Sequence, residues 1–373
     1  MGCCKSKDEV SESLLETLAE HTDSINCMAM ADDESLLVTG SEDKTARMWT
    51  TQDSAGSECL GVLEGHTSFV SCVYVFDTYV FTGSNDNTIK KWDMTTCNCD
   101  YTYEGHTSQV MRIICSGEYI ISSSKDLTAK VWLFEAEDLD EDENPCIHTL
   151  RGHTKGVHPL IYVPAGETKI VEDLVFTGSA DCTARMWSLS SGECLQIYRG
   201  HRQAIMTMTA DSDARILFTG SADTTIRSWD IRSGKVLKIF DGHTTPIMCL
   251  SVVNKLMYSG DTGGMARCWA WNLGDCTQEY RGHKHSVTCL KFYQGILYSG
   301  CGDGKARGFE AKTGTLMKVF ATKDPEVVIN CLAICNNTMF TGSRDGKLRV
   351  WDIKSKGVHS PDLQNDQTKE NQT

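Results

Sequence analysis

The chain alternates apolar and polar residues in short bursts, and helical spacing is not sustained anywhere. Phrases such as VFTGSNDNTIKKW (Val80 to Trp92) and LFTGSADTTIRSW (Leu217 to Trp229) are bounded by Gly, Ser, Asp and Asn. Period-two alternation with such boundaries predicts half-buried β-strands joined by tight turns. The phrase recurs, ending on Trp49, Trp92, Trp132, Trp187, Trp229, Trp269 and Trp351, with Phe309 once in place of tryptophan. Upstream of most units stands Gly-His, at Gly65-His66, Gly105-His106, Gly152-His153, Gly200-His201, Gly242-His243 and Gly282-His283; His21 follows Glu20 in the same place. Each unit supplies strands a, b and c up to the tryptophan. Strand d follows before the next Gly-His, as in CLGVLEGH or VLKIFDGH. A four-stranded sheet cannot bury both faces alone; stacking such sheets in a closed ring does so and removes most free edges.

A period near 40 residues with Gly-His and Trp-Asp marks resembles the WD-repeat family, whose unit is one blade of a β-propeller. The resemblance covers residues 13–353 and implies an all-β fold: a single closed propeller of four-stranded antiparallel blades. Counting the ends points to eight blades. SLLETLAEH before His21 is a strand d without an earlier blade, and the polar chain after Trp351 has no strand d of its own. Residues 13–20 are therefore expected to complete the last blade; a seven-bladed ring plus a loose unit is the alternative. Two insertions break the period. EAEDLDEDEN (135–144) falls in the c–d turn of blade three and PAGETKIVED (164–173) in the a–b turn of blade four. In WD propellers both turns open on the bottom face, and the acidic run reads as a solvated, flexible bulge. Residues 1–12 read as a flexible segment and 354–373 as a polar, disordered tail.

The resemblance also assigns the repeated polar residues. Many WD propellers hold each blade with a hydrogen-bonded quartet of the Gly-His histidine, a strand b Ser or Thr, a turn Asp and the Trp. By position these are His21, Thr39, Asp43 and Trp49; His66, Thr82, Asp86 and Trp92; His106, Ser122, Asp126 and Trp132; His153, Thr177, Asp181 and Trp187; and His201, Thr219, Asp223 and Trp229. A His beside an Asp and a Ser has the look of a hydrolase triad, but a catalytic set is made once and this one recurs in blade after blade. Three blades depart from the pattern: Gly263 stands where Asp belongs, Phe309 replaces Trp, and blade eight reads FATKDPE without Gly-His. Weaker anchoring is expected in blades six to eight.

By resemblance to the G-protein beta subunit, partner contacts on the top face fall on Phe69, Gln109, Met111, Lys125, His158, Met206, Met248 and Arg344. Phe69 and the methionines would be adaptable apolar contacts, with Lys125 and Arg344 selecting acidic partners. These residues imply an interaction scaffold for other proteins. The alternative is a substrate receptor of a cullin-type ubiquitin ligase, because Trp229, Asp230 and Arg232 match the short WDxR element some receptors carry.

Composition narrows the classes. With 36 basic and 50 acidic residues the formal charge is −14, which repels phosphate backbones and argues against nucleic acid as a partner. No apolar run reaches membrane-spanning length and no signal peptide opens the chain, so a cytosolic protein is expected. Of the 18 cysteines, Cys27, Cys72, Cys249, Cys289 and Cys331 recur in the phrases INCM, VSCV, IMCL, VTCL and INCL, and Cys59, Cys146, Cys194 and Cys276 shortly before a second repeated apolar stretch; cysteine at one place in a repeat reads as a small buried hydrophobe. No zinc-finger spacing occurs, and no metal, cofactor, catalytic residue or small-molecule substrate is expected. The one covalent chemistry is at the start, Met-Gly-Cys-Cys-Lys-Ser-Lys. Gly2 with Ser6 fits N-myristoylation, and Cys3 or Cys4 would take palmitate as the second signal that stable attachment needs. The start resembles dual-acylated N-termini. It implies a cytoplasmic peripheral membrane protein; a soluble cytosolic one is the alternative.

Overall fold

The computed structural model describes residues 13–51, 56–137, 139–140, 143–166, 172–322 and 327–354. The lipidation candidates Gly2, Cys3 and Cys4 lie outside them. All regular structure is β: eight antiparallel sheets of four strands, each with strand order a-b-c-d. The innermost strands are Ile25–Met30, Val70–Phe76, Val110–Cys115, Val157–Val163, Ile205–Ala210, Ile247–Val253, Val287–Tyr293 and Ile329–Cys335. Each packs on the next, and the eighth packs on the first, so the ring closes around a central channel.

Closure follows the complementary ends of the sequence. Strand Leu14–Leu18 pairs antiparallel with Leu348–Asp352, matching Leu14 to Trp351, Thr17 to Arg349 and Leu18 to Leu348. It is strand d of blade eight, and the seven-bladed alternative is excluded. Further bonds cross the seam to blade one, among them one from Asn330 Nδ2 to Ser24 Oγ at 3.1 Å. Asn330 Nδ2 donates to the Ile25 carbonyl at 2.9 Å, and the Ser57 N–H donates to Glu16 at 2.9 Å.

Burial is deepest on strands b and falls towards the rim. Strands b are buried on both faces, as in Leu36–Ser41, because each blade is covered by two neighbours. Strands d alternate in exposure or lie open, as in Val236–Phe240, because they form the rim. The seven repeat tryptophans lie fully buried between blades. At about 25 cal/mol per Å² of apolar surface they are the largest single contributions to the core.

The acidic insertion of blade three departs from the expected solvated bulge. Ala136 is buried, Leu139 packs into the same cluster, and Glu137 Oε1 meets the buried Lys91 Nζ of blade two at 2.6 Å. That ammonium also lies 4.2 Å from the Tyr79 ring centre and 4.1 Å from that of Phe134. The apolar residues within the run, together with one buried cation, outweigh the solvation of its carboxylates and staple blade three to blade two.

Candidate protein-interaction face

Six blades carry the same side-chain chain. In blade one Trp49 Nε1–H donates to Thr39 Oγ1 at 2.8 Å, Thr39 Oγ1 lies 2.9 Å from His21 Nε2, and His21 Nδ1 lies 2.7 Å from Asp43. A carboxylate only accepts, so Nδ1 carries the hydrogen and Nε2 accepts from the hydroxyl. Every donor thus points from tryptophan towards aspartate. His66–Thr82–Asp86–Trp92, His106–Ser122–Asp126–Trp132, His153–Thr177–Asp181–Trp187 and His201–Thr219–Asp223–Trp229 repeat it within 2.6–2.9 Å. Burial pushes these carboxyls up, but bonds from the histidine, the following threonine and backbone N–H groups outweigh it and hold them well below the usual range.

The three divergent blades are repaired, each differently, so the expectation of weak anchoring fails at its premise. In blade six the carboxylate comes from Asp261, which occupies the site of the turn serine and bonds His243 Nδ1 at 2.7 Å; Trp269 and Ser259 complete the chain. In blade seven Phe309 has no N–H to give Ser299, and the direction reverses. Arg307 Nη1 donates to His283 Nδ1 at 2.6 Å, and Nε2 donates to Ser299 Oγ at 2.7 Å. The same guanidinium pairs with Asp303 at 2.8 Å. Burial and then the Arg307 charge push His283 down to about 4. In blade eight Arg349 takes the place of the missing histidine, 2.6 Å from Asp345. Of the equivalent arginines elsewhere, Arg47 meets Glu20 at 2.8 Å, Arg267 meets Glu279 at 2.9 Å and Arg185 bonds the Gly152 carbonyl at 2.8 Å. In blades seven and eight, where the indole N–H or the histidine is missing, the arginine turns to the turn aspartate instead.

Among the described residues, one group has metal-ligand geometry: His283, Cys301 and Asp303. The Arg307 guanidinium already occupies it as the resident cation.

All eight partner-contact candidates lie on the top face, in two tiers. Phe69 (44% exposed), Gln109, Lys125 and Arg344 stand on the d–a loops and b–c turns, the two cations exposed. Met111, His158, Met206 and Met248 are each the second residue of an innermost strand and line the channel mouth, half-buried. Burial first, then the charge of Arg112, pushes His158 down to about 4. Positional matching missed Arg112, which is exposed one residue beyond Met111. Its signal was an arginine at the strand position where five blades carry cysteine. The WDxR residues do not form one surface: Trp229 is buried, Asp230 caps a turn through Ser233 at 2.8 Å, and Arg232 is exposed on the bottom face.

The family model described as "WD domain, G-beta repeat" matches residues 12–50, 57–93, 97–132, 144–188, 192–230, 234–270, 274–309 and 314–352. The human WD repeat-containing protein 86 is 39% identical over 54% of this chain and 53% of its own length. Mitochondrial division protein 1 of Mycosarcoma maydis is 28% identical over 48% of this chain and 22% of its own length. This chain therefore spans only about a quarter of the division proteins it matches and about half of the human relative. Among solved structures, a computationally designed protein, Ika8, superposes with TM-score 0.79 over 91% of this chain at 26% identity. Yeast Sqt1 gives TM-score 0.79 over 91% of the chain at 15% identity, a likeness of fold alone. With the family's repeat matched in all eight blades, the chain belongs to the WD-repeat family.

Proposed function

We propose that this propeller is a non-catalytic scaffold that binds other proteins through its top face, tethered to the cytoplasmic side of membranes by N-terminal acyl groups. Repetition carries the scaffold reading. Every His–Asp pair that resembles catalytic machinery is one copy of a blade-holding network, while Phe69, Lys125 and Arg344 stand exposed on one face with no structural duty of that kind. Affinity capture from cells with Phe69→Ser/Lys125→Glu/Arg344→Glu tests it. The variant should keep the wild-type melting temperature and lose the captured partners, whereas an unchanged partner set overturns the top-face assignment.

The membrane reading rests on the Met-Gly-Cys-Cys-Lys-Ser start. A single myristoyl chain binds bilayers at only about 10⁴ M⁻¹, so palmitate on Cys3 or Cys4 supplies the second signal. The folded part is compatible: strand Leu14–Leu18 begins on the bottom face, which leaves the top face turned away from an anchor at the N-terminus. Gly2→Ala should move the protein from the membrane to the soluble fraction. Cys3→Ser/Cys4→Ser should do the same while keeping a myristate label; retention of Gly2→Ala on membranes ends the lipid reading. A ligase-receptor role, for which only exposed Arg232 speaks, would appear as a cullin adaptor captured by wild type and lost in Arg232→Ala.

A further inference from the structure

The chain carries 50 acidic residues, yet its eight innermost strands contain no aspartate or glutamate. Two fixed charges stand on those strands, and both are exposed cations: Arg112 of blade three and, on the opposite side of the ring, Lys291 of blade seven. Arg112 occupies the position that holds Cys27, Cys72, Cys249, Cys289 and Cys331 in other blades. Each of those thiols lies so close to a strand b glycine that a Cβ there would come within 2.6–2.8 Å of the sulfur. In blade three the glycine is replaced by Ser123, whose buried side chain fills that space and donates to the His158 carbonyl of blade four at 3.0 Å. The Arg112 side chain is left to project into the channel.

Two more basic groups share this seam. The Lys125 N–H bonds the Gln109 carbonyl at 3.0 Å, and its Cα lies 3.4 Å from where a Cβ on Gly156 would stand, so its turn rests on the loop leading to His158. The charges of Arg112 and Lys125 both disfavour protonation of His158, whose ring bonds the Met206 backbone. The carboxylates of the two flanking turns, Asp126 and Asp181, are committed to His106 at 2.6 Å and His153 at 2.8 Å.

The geometry points to a binding site for a multiply charged oxyanion of the phosphoryl class at the channel mouth between blades three and four, held by Arg112 and Lys125 with His158 beside them. Two fixed cations call for at least two negative charges, whereas a single carboxylate leaves one cation unpaired. The arginine fork matches the paired oxygens of a phosphoryl group. A channel wall free of carboxylates focuses an anion there against the net charge of the molecule. The group is either free or carried on a phosphorylated partner side chain; in the second case the inference deepens the top-face reading and rests on it.

The test uses the full chain at constant ionic strength. Sodium pyrophosphate, a phosphoserine peptide and the same peptide unphosphorylated are titrated in turn while the His158 ring signals are followed by NMR. Pyrophosphate or the phosphopeptide should shift those signals and raise the His158 pKa above about 4. Arg112→Met and Lys125→Met should each weaken binding tenfold or more, with Arg112→Gln as a second variant, while Lys291→Met stays within threefold of wild type. A phosphopeptide tighter than pyrophosphate identifies a partner side chain as the source; the reverse identifies a free anion. Absence of any shift, equal binding of the unphosphorylated peptide, or undiminished binding by Arg112→Met overturns the inference. Partner capture lost through Phe69→Ser alone leaves the scaffold reading standing whatever the pyrophosphate result.

Discussion

Blade seven shows how one side chain reverses a network. Phe309 withdraws an N–H donor, so Ser299 must take its hydrogen from His283 Nε2, and Arg307 supplies the other ring nitrogen. Nitrogen NMR should therefore find His283 with its hydrogen on Nε2, and His21, His66, His106, His153, His201 and His243 with theirs on Nδ1. A common tautomer contradicts the reversal. The pH consequence follows from the pKa of His283, lowered to about 4 in the fold against an unfolded value near 6.5. Between these values the unfolded chain binds a proton that the folded one refuses, so stability is fully present above pH 6.5 and falls as pH drops towards 4. The loss should be on the order of 2–4 kcal/mol, and His283→Gln should show a shallower decline in melting temperature over that window. Trp132, whose ring is fully buried and whose N–H bonds Ser122 at 2.9 Å, is the opposite case. Trp132→Ala opens a cavity and strands that hydroxyl, and should cost about 3–5 kcal/mol in denaturant titration.

At the scale of elements, the b–c turns use two solutions to one strain. The residue after the turn aspartate, or after Gly263 in blade six, is left-handed in every blade: Lys44, Asn87, Leu127, Cys182 and Thr224 at φ 71–74° in blades one to five, and Gly264, Gly304 and Gly346 in blades six to eight. The non-glycine turns are clamped by the next residue, as where Thr128 donates to Asp126 through both N–H and Oγ1, at 3.0 and 2.6 Å. Blades six to eight lack that threonine and relieve the strain with glycine instead. Thr128→Val should thus cost about 1 kcal/mol, and Leu127→Gly should recover most of it; an additive loss in the double variant contradicts the account. The Lys91–Glu137 staple makes a second case. Glu137→Ala leaves the buried ammonium without its counter-ion, on the Phe134 carbonyl at 3.2 Å and two ring faces, and should destabilise by about 1–3 kcal/mol, reduced from the fully buried case because the carboxylate is part-exposed. Adding Lys91→Met should restore most of the loss.

For the whole molecule, closure decides stability, because each blade is covered only by its neighbours. Removing residues 1–18 strips strand d from blade eight, exposes Trp351 and Leu348 to solvent, and unpairs both ends of the ring. Amide exchange should then accelerate throughout blades eight and one while blades three to five stay protected. Uniform protection would mean that the remaining strands close the ring without it.

The strand phrases, the tryptophan period and the mismatched ends pointed to eight blades and a shared last one, since binary pattern and repeat length act locally and add around a ring; the pairing of Leu14–Leu18 with Leu348–Asp352 then removed the seven-bladed alternative. The quartets of blades one to five were legible for the same reason: each is written within one repeat. What the sequence could not show lies where side chains choose between neighbours. Asp261 serving for an absent aspartate, Arg307 and Arg349 turning inward, Lys91 reaching Glu137 and Arg112 left in the channel by Ser123 all depend on partners in another strand or blade. A charge goes to the nearest compensating group in three dimensions, and only the closed ring determines which group that is.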